Sequence, residues 1–425
     1  MFLFWNKLRR CVALALFSSI VVSLFNTASA QVTIKGFATL GATASSTDDL
    51  IYRTAINRWP EEGTNVLTES LIGLQLNYQV NDKVDVVVQS ILENKHYNSL
   101  SDYVDLAFVR YQFDRNYSVR IGRMNNNAYI LSEYLEVGYS YLWATPPMEF
   151  YTPSSYLTYI DGIELQYRNL IDDGMLQATL ALGNSKADLL NVDSESVLEY
   201  DYVVNSSVTY ETDHWLFKGT VSYFHGEGAR IDGLDQLQSL AASFPSQWWP
   251  FMGELLDSLE FKDQSIQYAA LGVNYHKDNW LVKSELAYFN IDWGLTGDLG
   301  YGYISAGYEF DQFTPYVTFA MLDSLYDRHI IEDPRYDLIS DPVTQQTLAF
   351  LQTNFQSLYD SARMDQYSIA AGFRWDFTHN WVAKGQVTYY KINGPGYGLW
   401  GGDRILNIED HRHVSVLSLN LSTIF

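Results

Sequence analysis

The chain has 425 residues, of which 47% are hydrophobic and 15% aromatic, and its net charge at pH 7 is −23. This negative charge disfavours a nucleic-acid-binding protein, because such proteins neutralise phosphates with Lys and Arg. The single cysteine leaves no pair with which the chain could form an internal disulfide.

The N-terminus predicts a secretory signal peptide over 1–30. Three basic residues within 7–10 precede an apolar run over 11–25 and the small-residue stretch Ala-Ser-Ala at 28–30. The apolar run, about 15 residues long, is shorter than the roughly 20 that a membrane helix requires. Cleavage after residue 30 leaves 395 residues with a net charge of −26 and no cysteine. No later apolar run reaches the length of a membrane helix, which excludes a helical membrane protein.

The remaining chain reads as strands joined in pairs by short polar turns. Seven such turns occur at 81–83, 114–116, 170–174, 211–214, 277–279, 311–312 and 378–380. They join fourteen strands, and a first strand near 32–42 and a last near 412–425 bring the number to sixteen. An even number suits a closed antiparallel barrel whose two termini lie on one side.

Three similar segments show the strand period most clearly: "HWLFKGTVSYFH" at 214–225, "NWLVKSELAYFN" at 279–290 and "NWVAKGQVTYYK" at 380–391. In the first, Trp215 and Val221 fall on one face and Lys218 and Thr220 on the other. The apolar face begins and ends in an aromatic residue. Tilted by about 45°, it covers roughly 20 Å of height, close to the apolar band of an outer-membrane barrel. We interpret the three segments as membrane strands that run in the same direction.

The other strand ends are joined by eight long segments, at 43–66, 94–102, 124–157, 184–198, 226–264, 291–299, 324–364 and 392–411. Short turns at one end and long loops at the other are typical of transmembrane barrels. Two of these loops have helical character. The segment 341–364 has Asp341 as a helix N-cap and Pro342 at the first helical position, and a similar stretch over 233–261 is broken by Pro245 and Pro250. The predicted fold is therefore all-β, a closed antiparallel transmembrane β-barrel of about 16 strands over 31–425.

The mature chain resembles the porin superfamily of Gram-negative bacteria. The resemblance is carried by "IKGFATLGA" (34–42), "VRIGRM" (119–124), the stretch 138–168 and the last strand. That strand ends in Phe425 with Leu421 and Leu419 on one face, which resembles the signal read by the barrel assembly machinery. The resemblance implies an outer-membrane location among lipid and lipopolysaccharide, a water-filled channel, a third loop (124–157) folded inward as a constriction, and often a homotrimer.

Strand parity assigns charged residues to the inner face. The basic candidates are Lys35, Arg110, Arg120, Lys218, Lys283, Arg374 and Lys384, and the acidic candidates on the third loop are Glu133, Glu136 and Glu149. Further carboxylates predicted to face inward are Glu69, Asp85, Glu164 and Glu285. Opposed charges across a narrow slot would orient polar solutes. Alternatively, each cation pairs locally with a carboxylate and only stabilises the wall.

These observations predict a porin that lets small hydrophilic solutes and ions diffuse passively. Two alternatives stay open: a substrate-selective channel of the same fold, and a plugged barrel that acts as a receptor or adhesin. We expect no enzyme, cofactor or metal site, because the sequence has no Gly-rich phosphate loop, nucleophile elbow or repeated metal-ligand spacing. A homotrimer is also suggested by small residues in the first three strands, namely Gly36, Ala38, Gly41, Gly73 and Ser90.

Overall fold

The computed structural model describes residues 31–61, 63–95, 100–157, 159–191, 194–231, 233–396, 398–402 and 411–425. The predicted signal peptide over 1–30 lies outside the described residues and stays a prediction. Within the described part of the chain, no helix has the length and hydropathy that a membrane-crossing helix requires.

Sixteen long antiparallel strands form one closed sheet, as the sequence predicts. The strands are β1 (Gln31–Ser45), β2 (Leu71–Asn81), β3 (Val84–Glu93), β4 (Val104–Gln112), β5 (Tyr117–Asn125), β6 (Tyr159–Ile171), β7 (Gly174–Asn191), β8 (Ser194–Glu211), β9 (Trp215–Arg230), β10 (Gln264–Lys277), β11 (Trp280–Ile291), β12 (Leu299–Tyr308), β13 (Phe313–Ser324), β14 (Gln366–Thr378), β15 (Trp381–Ile392) and β16 (Arg412–Ile424). A two-residue strand, Thr64–Asn65, pairs with the end of β1. Closure comes from β1, which pairs with β2 on one side and with β16 on the other.

The two faces of the strands differ as the alternation predicts. On the three similar segments, which form β9, β11 and β15, Val221, Leu286 and Val387 point outward and are more than half exposed. Their neighbours at the opposite parity, such as Lys218 and Gln386, are buried inside the barrel. An outer surface this rich in exposed apolar side chains suits a lipid environment.

The seven short turns lie where the sequence places them, all at one end of the barrel. Asp278 and Asn279, between β10 and β11, have φ values of 49° and 71°. Two consecutive positive φ values fit the primed turn of a tight hairpin, which Asp and Asn tolerate better than most residues. Trp215 packs on Tyr275 beside these turns, with ring centroids 4.5 Å apart, and forms part of an aromatic girdle.

One predicted loop is wrong. The segment 184–198 continues as a hairpin of β7 and β8, paired as far as Asn191 and Ser194. The alternation of the sequence persists there, and Ala187, Leu198 and Tyr200 are buried on one face against the long loops. This packing supports the hairpin above the rest of the barrel.

In their described residues, the long loops carry four α-helices, α1 (Met148–Ser154), α2 (Leu234–Ala242), α3 (Met252–Ser258) and α4 (Pro342–Ala362). Helices α2 and α3 lie within the predicted segment 233–261 and α4 within 341–364, and Asp341 caps α4 by accepting a hydrogen bond from the Thr344 amide. The inner face of α4 buries Leu351 and Phe355 beneath the other loops. Together these loops form a packed layer at the long-loop end of the barrel.

The small residues of the first strands do not share one face. Gly41 faces the interior beside Glu69, and Gly73 packs against the Phe37 ring. Gly36 lies on the outer face, where the Phe425 ring covers it. The stripe proposed as a trimer contact is therefore interrupted, because neighbouring residues of a strand point to opposite sides.

Candidate constriction site

The third loop leaves β5 at residue 126 and returns to β6 at Tyr159, and it packs within the barrel. Its first part contacts the inner faces of β8, β9 and β10, and Asn127 donates a hydrogen bond to Ser207. Its middle part contacts β1 and β16, and α1 contacts β11 to β14. The loop thus lines the inner wall from β8 around to β1.

Basic side chains of the wall bind the backbone of this loop. Lys218 on β9 donates hydrogen bonds to the Asn127 side chain and to the Tyr129 carbonyl, the latter at 2.6 Å. Lys384 on β15 donates to the carbonyls of Gly138 and Trp143. Because charge-assisted hydrogen bonds are about twice as strong as neutral ones, these lysines are strong anchors of the loop.

Arg374 anchors the same loop from β14. It donates to the carbonyls of Tyr139 and Tyr141 at 2.7 and 2.9 Å, and it forms a two-point ion pair with Asp376. Its guanidinium also lies over the Tyr139 ring, 5.3 Å from the ring centroid. The loop segment 138–145 is therefore held by two neighbouring strands.

Carboxylates hold the loop on its other side. Glu285 on β11 is buried and accepts hydrogen bonds from the Ile130 amide at 2.8 Å and from the hydroxyls of Tyr151 and Tyr303. Glu149 on α1 is fully buried, and Gln366 and Ser368 of β14 donate to it. These neutral donors satisfy both carboxylates where the surroundings exclude water.

Aromatic packing fills the space between the loop and the wall. Trp143 is 1% exposed and donates to Ser305 and Thr318. Phe150 packs against Tyr301 and Tyr303 with ring centroids 5.4 and 5.3 Å apart. The interior beside β8 to β16 is thereby occupied by packed protein.

A charged cluster lies on the opposite wall, and we call Arg120, Glu133 and Glu164 the Arg120 cluster. Arg120 of β5 donates to Glu164 of β6 at 2.8 Å and contacts the third-loop Glu133 at 3.3 Å. Glu133 is about half exposed, whereas the Glu164 side chain is only 1% exposed. In this cluster a basic wall residue directly contacts an acidic residue of the third loop.

Two cavities flank the Arg120 cluster. The long-loop cavity has a volume of about 120 Å³ and is lined by β3, β4, β5, β7 and the third loop, including Glu133. The short-turn cavity has a volume of about 580 Å³ and is lined by Ser118, Gln166 and neighbouring turn residues. Because Ser118 lies two residues before Arg120 on β5, the cluster sits between the two cavities.

The two cavities carry opposite charge. The long-loop cavity is lined by six acidic residues, Glu93, Asp102, Asp105, Glu133, Glu136 and Asp188, and by three basic residues, Lys95, Arg123 and Lys186. The short-turn cavity is lined by two acidic residues, Asp82 and Asp114, and by four basic residues, Lys83, Arg110, Arg115 and Arg168. The sign of the charge therefore changes along the wall formed by β3 to β7.

The remaining predicted residues lie apart from the Arg120 cluster. Arg110 pairs with Asp85 at 2.9 Å in the short-turn cavity, and Lys35 is exposed near the start of β1. Lys283 lies with its ammonium 5.9 Å from the Trp143 ring centroid. Glu136 contacts Arg58, which belongs to the first long loop. Of the seven basic candidates, only Arg120 forms an ion pair with a predicted third-loop carboxylate, Glu133.

Sequence reasoning missed three contributors to the site. Arg58 contacts both Glu93 and Glu136, and Arg123 forms a two-point ion pair with Asp161. Arg58 lies in a loop, where strand parity gives no information. Asp105 lines the long-loop cavity beside a register shift between β3 and β4, and such an irregularity changes the side to which a residue points.

Comparison with known proteins identifies the fold. No protein-family model matches the chain, and no curated protein matches it in sequence. An anion-selective porin from Comamonas acidovorans aligns with a TM-score of 0.53 and 10% identity over 93% of this chain and 100% of its own. Salmonella typhi OmpF, in a complex with daunomycin, gives 0.51 and 13% over 93% and 97%. The trimer form of Vibrio cholerae OmpT gives 0.51 and 9% over 93% and 99%. The chain therefore has the fold of the outer-membrane porins, which confirms the resemblance seen in its sequence.

Proposed function

We propose that the protein is an outer-membrane porin of a Gram-negative bacterium through which small hydrophilic solutes and ions diffuse passively. The solutes pass along β3 to β7, between the two charged cavities and past the Arg120 cluster. The position of these cavities on either side of one charged cluster is the observation that carries the proposal. The exposed apolar outer face supports the membrane location.

The third loop gives the proposed passage its position. Polar and charged groups line the wall near β3 to β7, whereas packed aromatic residues occupy the space near β8 to β16. A polar solute would lose hydration without compensation in the aromatic half, so it takes the charged route. The function needs no bond-making chemistry, and we propose no catalytic residue or cofactor.

Single cysteines test the route, because the only cysteine of the chain is Cys11 within the predicted signal peptide. Gln166→Cys places a thiol in the short-turn cavity, and Gln386→Cys places one at a buried inward position on β15. We expect a charged methanethiosulfonate reagent to reduce the planar-bilayer conductance of the Gln166→Cys protein and to leave that of the Gln386→Cys protein unchanged. The reverse pattern would contradict the proposed route.

A plugged barrel acting as a receptor or adhesin is the second candidate. It is favoured by the amount of third-loop and helical-loop structure packed into and over the interior. The absence of any ion conductance from purified, folded protein would favour this candidate over the porin. A selective channel would instead conduct ions and transport one solute much faster than others of equal size in liposome swelling.

We also propose a homotrimer, which the trimer form of the Vibrio cholerae protein supports only through its shared fold. Ala38 on the outer face of β1 is the small residue that a neighbouring copy would contact, since the Phe425 ring covers Gly36. An unheated sample that migrates as a monomer after mild detergent extraction would contradict the trimer.

A further inference from the structure

A third cavity lies at the long-loop end, on the packed side of the barrel. Its volume is about 200 Å³, and it is partly open to the surface between the β7–β8 hairpin, strands β10 to β12, helix α4 and the last long loop. Its lining is mainly apolar and includes Leu190, Phe289, Trp293, Leu358, Ala362 and Trp400. Leu190 lines both this cavity and the long-loop cavity, so the two are neighbours.

The aromatic walls of the cavity are fixed by their own contacts. Trp400 donates its indole N–H to Gln366 at 2.9 Å and packs edge-on against Tyr390, with ring centroids 5.2 Å apart. Trp293 packs edge-on against Phe261 at 4.9 Å. Because the Trp400 indole N–H is already bonded to the protein, that ring offers the cavity an apolar surface.

The few polar groups at the cavity also bind the protein itself. Arg53 donates to the carbonyls of Leu399 and Gly398 at 2.8 and 3.1 Å. The Ser361 hydroxyl donates to the Leu358 carbonyl at 2.8 Å, as a helical serine commonly does. A molecule in this cavity would therefore meet mainly aliphatic and aromatic carbon.

We propose that this cavity is a binding site for a small apolar molecule about the size of one aromatic ring. A protein cavity of roughly 150 Å³ lined by Leu, Ile and Phe is known to remain dry and to bind benzene or xenon. The cavity here is somewhat larger and has the same kind of lining, with two tryptophan rings added. The site adjoins the proposed passage at Leu190 but is a different cavity, so ligand binding can be measured without conduction.

Helix α4 supplies a matched pair of variants. Ala362 lines the cavity, whereas Ala349 is exposed on the same helix. Ala362→Phe would place a ring in the cavity, and Ala349→Phe adds the same ring to the outer surface. Both variants add one phenyl ring to the protein–micelle complex. A probe that merely partitions into the micelle would therefore respond equally to both, whereas a probe bound in the cavity would respond only to Ala362→Phe.

Fluorobenzene is the probe, and ¹⁹F NMR of the purified full-length barrel in micelles is the readout. We expect a protein-bound resonance that saturates at one probe per chain in the wild type and in Ala349→Phe, and affinity at least about tenfold weaker in Ala362→Phe. If Ala362→Phe fails to fold, Leu358→Ala provides the test. It widens the cavity and is expected to admit fluoronaphthalene, which the wild type binds at least about tenfold more weakly.

Two results would overturn the proposal. One is a wild-type spectrum that shows no resonance beyond that of empty micelles. The other is a bound resonance that survives Ala362→Phe unchanged in a correctly folded barrel, as judged by its heat-modifiable migration.

Discussion

Replacement of Lys384 by Met tests whether the third loop is held by its buried lysine anchors. The Lys384 side chain is 2% exposed, donates to the carbonyls of Gly138 and Trp143, and lies 4.1 Å from the Tyr141 ring centroid. A hydrogen bond to a charged group contributes about 1.5–3 kcal/mol. Two such bonds give about 3–6 kcal/mol, and the desolvation of the ammonium offsets part of this gain.

We therefore expect Lys384→Met to destabilise the anchored position of segment 138–145 by about 3 kcal/mol, since two carbonyls lose their donors. Such a change raises the population of the released loop roughly 100-fold. The strands themselves keep their ladder hydrogen bonds, so the barrel still forms.

Ser418→Cys reports this release. The Ser418 hydroxyl is 2% exposed and lies 3.1 Å from the Thr145 hydroxyl of the same segment. When closing is faster than labelling, the labelling rate of the thiol follows the population of the released loop. We expect Lys384→Met to accelerate labelling by roughly two orders of magnitude, and Lys35→Met, which changes an exposed lysine on β1, to leave it unchanged. A rate within about threefold of the parent in a folded barrel would refute the anchoring argument.

Three further predictions concern the Arg120 cluster, the loop that carries α4, and the seam between β1 and β16. Arg120→Met leaves the buried Glu164 carboxylate without its cation, so the free energy of unfolding in a urea titration should fall by about 3–5 kcal/mol. Hydrogen bonds from the first turn of α4 lower the pKa of Asp341. The stabilisation by the Asp341 cap is therefore complete above the unfolded pKa of about 3.9 and is lost as the pH falls below that value and through the lower folded-state pKa. Cleavage of this loop by an acid protease should accelerate at low pH in the wild type. It should not accelerate in Asp341→Asn, because an uncharged Asn caps the helix about as well. Gly36→Leu would place a Cβ 2.3 Å from the Phe425 ring, so the seam between β1 and β16 should close more slowly in a refolding assay.

Each prediction has a matched control and a contrary result. Arg110→Met removes an exposed ion pair and should lower the free energy of unfolding by at most about 1 kcal/mol. An equal decrease in Arg110→Met and Arg120→Met would contradict the argument that the buried Arg120 pair matters more. An equal acceleration of cleavage at low pH in the wild type and in Asp341→Asn would show that the cap does not control cleavage of the loop that carries α4. Ala38→Leu adds the same side chain to the outer face of β1, and equally slow refolding of both variants would exclude the contact with the terminal ring.

The sequence predicts the barrel well because its signals are local. Alternation places Lys218 inside and Val221 outside from neighbouring positions alone, and turn residues such as Asp278 mark the hairpins. The lipid environment reinforces both signals, since outward positions are apolar along the whole height of a strand. The extended β7–β8 hairpin was not predicted, because its alternation continues beyond the expected membrane band, where a loop was expected.

The contacts of the candidate constriction site are harder to predict from the sequence, because they depend on where the third loop lies. Parity correctly turns Lys384 inward but does not indicate that its partners are two backbone carbonyls. Glu149 is acidic and on the third loop, as expected, yet it faces an amide and a hydroxyl on β14 instead of a basic residue. Arg58 reaches the site from another loop, and no local pattern encodes a contact of that kind.

The change in charge sign along β3 to β7 has an electrical consequence. A conduit that is negative at one mouth and positive at the other gathers mobile ions under one voltage polarity and is depleted of them under the opposite polarity. With identical salt on both sides, the proposed passage would therefore carry more current under one voltage polarity than under the other. The same built-in axial asymmetry would align the dipole of a zwitterion along its direction of travel.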